Sequence, residues 1–370
     1  MWELPAEGDL SENQREVVRL GLDQSHLIDG PPGSGKSVMA IMRTQALTRD
    51  QQPTMLLMYN KLLSLYIEGA LVHLGLDRSH VSTYHKWFPN WFRRCYGVNP
   101  PMVSRFEFDW TRCLEIAGQN PPPEELREHA LVDEGQDMPR SFYAFLAVIT
   151  RNMTVFADEY QALTETNSTV AEILAVTGIA STRSLETNYR NTRAINRVSG
   201  HFWTGVGSAP TQLTDSALDG DKPVLDHDPN LNAVISRIVR FEQPRRDQQI
   251  GVLLPYTSLV KEFYNRLDRK TANPVQMYLS DMPPGKRRVD FSTPGVKVIT
   301  WASTKGLEFD TVFLPELQQY RYQDPAADLF RKKMYVLTSR AKKELFFLYS
   351  GEGKPPILDA LPLGDLDDWR

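Results

Sequence analysis

Ile28–Met42 reads IDGPPGSGKSVMAIM, and this stretch decides the fold. Gly30, Gly35, Lys36 and Ser37 fit the pattern G-x-x-x-x-G-K-[ST], with Gly33 and Ser34 as further small residues inside the loop. Small residues let successive backbone N–H groups turn inward around a polyphosphate, and the N-terminus of the following helix adds positive potential. Lys36 then reaches the β- and γ-phosphates, and the Ser37 hydroxyl meets Mg²⁺. His26–Ile28 before the loop reads as a strand end, and Val38–Leu47 after it as a helix start. Strand, glycine loop and helix in this order imply a site for a nucleoside triphosphate.

A second stretch supplies the chemistry that such a site needs. Ala130–Asp137, ALVDEGQD, is a short apolar strand that carries Asp133 and Glu134 to its carboxyl end, where ligands bind in open α/β sheets. Side chains alternate along a strand, so one carboxylate can face a metal and its neighbour a water. Asp133 is expected to hold Mg²⁺, and Glu134 to take a proton from the attacking water. A further strand, Met153–Ala157, leads to Asp158 and Gln161, whose amide is suited to sensing the γ-phosphate without adding charge. Upstream, Leu10–Leu20 is a helix capped by Ser11, and its Gln14 can donate to and accept from an adenine edge.

Length and composition set the frame. A chain of 370 residues has room for about two domains of ordinary size. Its 41% hydrophobic and 24% charged content is ordinary for a soluble globular protein. No apolar run is long enough to span a bilayer, and Met1–Leu10 carries acids where a signal peptide would carry bases, so a cytoplasmic location without membrane contact is expected. Cys95 and Cys113 are the only cysteines, too few for a disulfide framework. A net charge of −4 gives no general attraction for nucleic acid, although a local basic groove can still bind phosphates. Basic clusters occur at Arg93–Arg94, Arg245–Arg246, Lys286–Arg288, Arg331–Lys333 and Lys342–Lys343, and solvated helix faces explain each of them singly.

Strands alternate with helices in both halves, which argues for two α/β domains with mostly parallel sheets. The expected boundaries are a first domain over 1–182, a second over 183–350 and a loose tail over 351–370. Within the first domain, 89–129 is rich in proline, arginine and aromatics, including Trp91, Phe92, Phe106 and Trp110, and reads as a small inserted helical subdomain. Its aromatics suit either stacking on single-stranded bases or a core of their own.

In this order the motifs resemble those of superfamily 1 helicases of the UvrD/Rep/PcrA group, over almost all of Leu10–Tyr349. Gln14, GPPGSGKS and VDEGQD match the adenine-reading, phosphate and Mg²⁺/base motifs, and ADEYQ with Gln161 matches the sensor. Asn60 and TYHKW, hence Thr83, His85 and Trp87, match motifs that lie along the nucleic acid. LETNYR matches the adenine-stacking tyrosine and γ-phosphate arginine, Tyr189 and Arg190. TKGLEFD supplies Glu308 near the ribose, and YVLTSRA supplies Arg340 as an arginine finger. The resemblance implies two RecA-like P-loop NTPase domains with ATP and Mg²⁺ between them, stepping 3′ to 5′ along single-stranded DNA rather than RNA.

The departures bear on strand gripping. Thr164–Ser168, TETNS, stands where the family has an aromatic–arginine pair, Ala302 where it often has histidine, and Tyr256 near the place of an arginine. The span from Arg190 to Val296 is too short for the second accessory domain, and the first is reduced to about Pro89–His129. Three readings stay open: a minimal translocase or helicase, an ATPase motor or sensor for a partner such as a nuclease, and a nucleotide switch without turnover.

Overall fold

The computed structural model describes residues 5–104, 107–158, 168–203, 212–280, 282, 289–291, 293–320 and 328–368. Two compact units part between Glu186 and Thr187, rather than at 182/183. The shift has a plain cause: Ser181–Ser184 is a strand of the first sheet, paired with His26–Asp29.

The first unit runs α1 (Glu12–Arg19), β1 (His26–Asp29), α2 (Lys36–Arg49), β2 (Thr54–Met58), α3 (Lys61–His73), β3 (Val81–Thr83) and α4 (Tyr84–Tyr96). A short antiparallel ribbon follows, β4 (Met102–Ser104) with β5 (Glu107–Phe108), and then α5 (Trp110–Gln119). β6 (His129–Asp133), α6 (Arg140–Ile149), β7 (Asn152–Ala157), α7 (Val170–Thr177) and β8 (Ser181–Ser184) complete it. Its sheet has the order β3-β2-β6-β7-β1-β8, with every pair parallel. Parallel strands covered on both faces need apolar residues on both sides, and Leu56–Met58, Ala130–Val132 and Val155–Ala157 are all buried. The order sets β1 and β6 on either side of β7, so the phosphate loop and Asp133–Glu134 leave the same edge of the sheet.

The aromatic stretch 89–129 makes no separate body. Phe88 lies 4.7 Å from both Phe108 and Trp110 and 5.0 Å from Phe145 of α6, ring centre to ring centre. Trp91 and Phe92 join the same core, so these rings contribute to the first unit's stability; Phe106 falls outside the described residues.

The second unit contains a parallel pair, β9 (Thr187–Asn188) with β10 (Gln212–Leu213), linked through α8 (Arg193–His201). It continues with β11 (Val224–Asp228), α9 (Leu231–Glu242), β12 (Gln249–Leu254), α10 (Thr257–Leu267), β13 (Val275–Tyr278), β14 (Gly295–Thr300), β15 (Phe309–Leu314), α11 (Asp328–Thr338) and β16 (Ala341–Ser350). The large sheet is again parallel throughout, in the order β11-β16-β15-β12-β14-β13. The chain is thus α/β with two RecA-like units.

The C-terminal stretch is not loose. Ile357, Leu358 and Leu361 are buried, and Asp367 exchanges backbone hydrogen bonds with the β11 edge, to Leu225 and Pro223, both at 2.9 Å. Apolar residues spaced between its prolines and acids anchor it, and overall polarity concealed that pattern. Among the described residues no helix is long and apolar enough to cross a membrane.

Candidate functional residues of the two units

The phosphate loop is closed around its lysine. Lys36 Nζ donates to the carbonyls of Gly30 at 2.5 Å and Pro31 at 2.9 Å, and pairs with the fully buried Asp158 at 3.5 Å. Gly33 and Gly35 have φ of 82° and 89°, where a side chain would be strained. A Cβ on Gly30 would lie 2.6 Å from the Leu185 carbonyl, so the backbone passes there only as glycine. Ser34 Oγ is buried and has no hydrogen-bond partner among the described residues, which fits a contact left for the nucleotide. On α1, Ser11 and Gln14 form a reciprocal cap, and Gln14 Nε2 donates to the Ser34 carbonyl at 3.2 Å. The buried Arg43 guanidinium donates to the carbonyls of Val17, Leu20 and Gly21, which fastens α1 to α2.

Ser37 Oγ donates to Asp133 Oδ2 at 2.7 Å. Burial, and then the charge of Glu134, push the Asp133 carboxyl upward, against the pull of Ser37 and Lys36. Such a carboxylate gains from a cation beside it. Among the described residues no cluster of three His, Cys, Asp or Glu can hold a metal. Ser37 and Asp133 nonetheless suit Mg²⁺, which commonly takes few protein oxygens and completes its shell with phosphate and water.

Glu134 adopts φ 54°, a left-handed conformation costing a non-glycine residue about 1–2 kcal/mol. The turn behind it is pinned where Tyr143 Oη donates to the Gly135 carbonyl at 2.7 Å and Asp137 N to that of Glu134 at 2.9 Å. Gln136 Nε2 donates to Glu134 Oε2 at 2.6 Å, while its Oε1 accepts from Asp158 N at 2.8 Å. Gln136 and Asp158 therefore belong to the site. Both stood in quoted motifs, but only their contacts reveal the link. Gln161 lies outside the described residues.

The second unit gathers the other group. Arg190 Nε pairs with Glu308 at 2.9 Å, and Lys342 Nζ holds the other oxygen of that carboxylate. Burial alone would raise the Glu308 carboxyl, but Arg190 and Lys342 outweigh it and hold the pKa at about 2. Assigned separately to γ-phosphate and ribose, Arg190 and Glu308 are instead paired with each other here. Tyr189 is 42% exposed, as a stacking ring must be. Arg340, only 1% exposed, lies in the turn between α11 and β16 and not on a helix. Its guanidinium donates to the carbonyls of Val336 at 2.8 Å and Leu307 at 3.2 Å, which satisfies the end of α11 and stops it there. Asn191, unremarked in the sequence, reaches the backbone on both sides of Arg340.

The residues expected along a nucleic acid divide. Asn60 Oδ1 accepts from Leu62 N and caps α3, and Thr83 is half-buried at the start of α4. His85 is exposed with its ring 3.7 Å from that of Tyr84 and 5.7 Å from that of Tyr59. Trp87 is buried: it packs on Trp91, and its Nε1 donates to Glu128 at 3.2 Å. On the α4 helix Trp87 falls on the inward face, so a base-stacking role does not fit it. Trp87→Ala is expected to cost about 3–5 kcal/mol of stability, as for large core aromatics, with single-strand affinity of the folded protein unchanged. Urea unfolding beside a DNA titration reads both; intact stability with lost affinity would return Trp87 to the strand.

Comparison with known proteins adds the following. The family description "UvrD-like helicase C-terminal domain" matches residues 277–352. RecBCD enzyme subunit RecB of Chlamydia pneumoniae is 30% identical over 125 residues, which is 32% of this chain and 11% of RecB. The chain thus matches only a small part of that relative's length. The C-terminal domain of a possible DNA helicase from Lactobacillus plantarum WCFS1 is similar in structure at TM-score 0.36 and 22% identity, over 48% of this chain and 96% of that one. Arterivirus nonstructural protein 10, a helicase, gives TM-score 0.43 and 13% identity, over 95% and 64%. Both scores are too low to carry fold or function.

Proposed function

We propose, from the premise that this chain is a UvrD-like superfamily 1 helicase relative, that it hydrolyses ATP to move along single-stranded DNA. The observation that supports this best is the connected set Lys36, Ser37, Asp133, Glu134, Gln136 and Asp158 in the first unit. Lys36 offsets charge on the β- and γ-phosphates, and Gln14 reads the adenine. Ser37 and Asp133 hold Mg²⁺, which supplies further charge neutralisation on the phosphate oxygens. Glu134 takes a proton as the water oxygen bonds to the γ-phosphorus and the bond to the β–γ bridging oxygen breaks, leaving ADP. The resemblance assigns Arg190 and Arg340 to charge on a transferring phosphoryl group, a type of contribution worth about 10³–10⁵ in rate, and each is bonded within its own unit here. Arg190 must first exchange Glu308 for phosphate, which links nucleotide arrival to a rearrangement in that unit. Movement 3′ to 5′, DNA in preference to RNA and a cytoplasmic setting complete the reading.

A second reading, a motor subunit for a partner such as a nuclease, draws on RecB being a subunit of a larger enzyme and on the short accessory regions. Steady-state ATP hydrolysis with and without single-stranded DNA, beside Lys36→Ala, separates the two. Strong stimulation by DNA is the expected result. Turnover that ignored DNA and RNA alike would overturn the translocase and favour the partner-driven motor.

A further inference from the structure

We infer that Asn191 is a positioning residue for Arg340, one of the two second-unit arginines that the hydrolytic reading above assigns to phosphate, and the inference rests on that reading. Its side chain is buried, 5% exposed, and hydrogen-bonded at both ends. Nδ2 donates to the carbonyls of Ser339 at 3.2 Å and Ala341 at 2.5 Å, the residues flanking Arg340. Oδ1 accepts from Asn188 Nδ2 at 2.7 Å. Asn188 Oδ1 in turn accepts from the backbone N–H of Arg190 at 2.9 Å and of Asn191 at 3.3 Å. Asn188 also reaches Asn196 on α8 at 3.2 Å, and Arg190 Nη1 reaches the Ser339 carbonyl at 3.3 Å.

One chain of amides therefore runs from the backbone of Arg190 to the backbone on both sides of Arg340. A further tie on the turn is Phe309 N, which donates to the Arg340 carbonyl at 3.0 Å. The chemistry explains why an amide stands at 191. Two N–H groups on one nitrogen bridge two carbonyls while the oxygen accepts from Asn188. Aspartate has the shape without the donors, and serine offers a single donor. On the hydrolytic reading Arg340 must give up the Val336 and Leu307 carbonyls to meet a phosphoryl group, and about 1 Å of misplacement of such a group can cost about 10²-fold in rate. Asn191 touches no nucleotide in this scheme; it acts through Arg340.

The test uses the full chain with Asn191→Asp, Asn191→Ser, Arg340→Ala and the double variant Asn191→Ser/Arg340→Ala. The expected result is a fall in kcat of about 10²-fold for Asn191→Asp and a smaller one for Asn191→Ser. KM for ATP and affinity for a fluorescent ADP analogue should change little, while melting temperature should fall for Asn191→Asp, whose carboxylate would face two carbonyl oxygens, and less for Asn191→Ser. The double variant should be no slower than Arg340→Ala alone, because the two changes remove one contribution. A merely structural role would lower stability and ADP affinity together and would add to the Arg340→Ala loss; that outcome overturns the inference. If Asn191→Asp fails to fold, Asn191→Ser and its double variant decide by the same criterion. A wild-type chain without turnover would sink the functional reading and this inference together, whereas wild-type turnover with additive losses would sink this inference alone.

Discussion

Alanine at Lys36 is expected to abolish ATP turnover and to weaken nucleotide binding, the largest effect of any single change in this chain. The Lys36 ammonium is 6% exposed, held by the Gly30 and Pro31 carbonyls and by Asp158. A cation in so dry a position acts on phosphate charge far more strongly than one in water. Losing one preorganised donor to developing charge costs about 10²–10³ in rate, and Lys36 carries a full charge. The substitution also strips Asp158 of its ammonium, so negative charge builds up where the triphosphate must enter. Turnover and fluorescent-nucleotide titration measure the two effects. Wild-type affinity in Lys36→Ala would mean that the loop amides alone hold the phosphates, and the role of the lysine would need revision.

The two parallel sheets, the glycine loop and the acidic turn at Asp133–Glu134 were legible because such motifs need particular residues at short, fixed spacings. GPPGSGKS and VDEGQD are each local, and the parallel sheet that joins them follows from apolar strands alternating with helices. What was hidden is non-local or a matter of facing. Asn191 meets residues 148 and 150 positions away, and no pattern around TNYRN announces that. Trp87 stands in a motif that suggests a strand contact, yet helical periodicity in YHKWFPNWF puts it on the same inward face as Trp91. Arg340 follows directly on YVLT, and nothing in that pattern shows that its own guanidinium bonds back to α11 at its end. The C-terminal stretch looked loose by composition, while a few spaced leucines and one backbone bridge dock it against β11.

Glu134→Gln is expected to bind ATP with near-wild-type affinity and to lose turnover by about 10²–10⁴-fold, the range for a positioned general base. The geometry makes the substitution unusually clean. Glu134 Oε2 accepts from Gln136 Nε2 at 2.6 Å, and a glutamine amide oxygen can accept that same bond. The left-handed turn depends on backbone bonds and on Tyr143, none of which involves the carboxylate. The bond from Gln136 and the backbone turn therefore survive, while the capacity to take a proton is lost with the charge. On the proposed reading Asp133 would still hold Mg²⁺ with Ser37, so nucleotide affinity is expected to stay. Single-turnover hydrolysis beside equilibrium binding of ATP separates the two quantities. Normal turnover in Glu134→Gln would show that another group accepts the proton, and the fully buried Asp133 beside it would be the next residue to test. Loss of binding together with turnover would instead show that the Glu134 charge shapes the phosphate site itself. Retained binding without hydrolysis is the one outcome that assigns the base to Glu134.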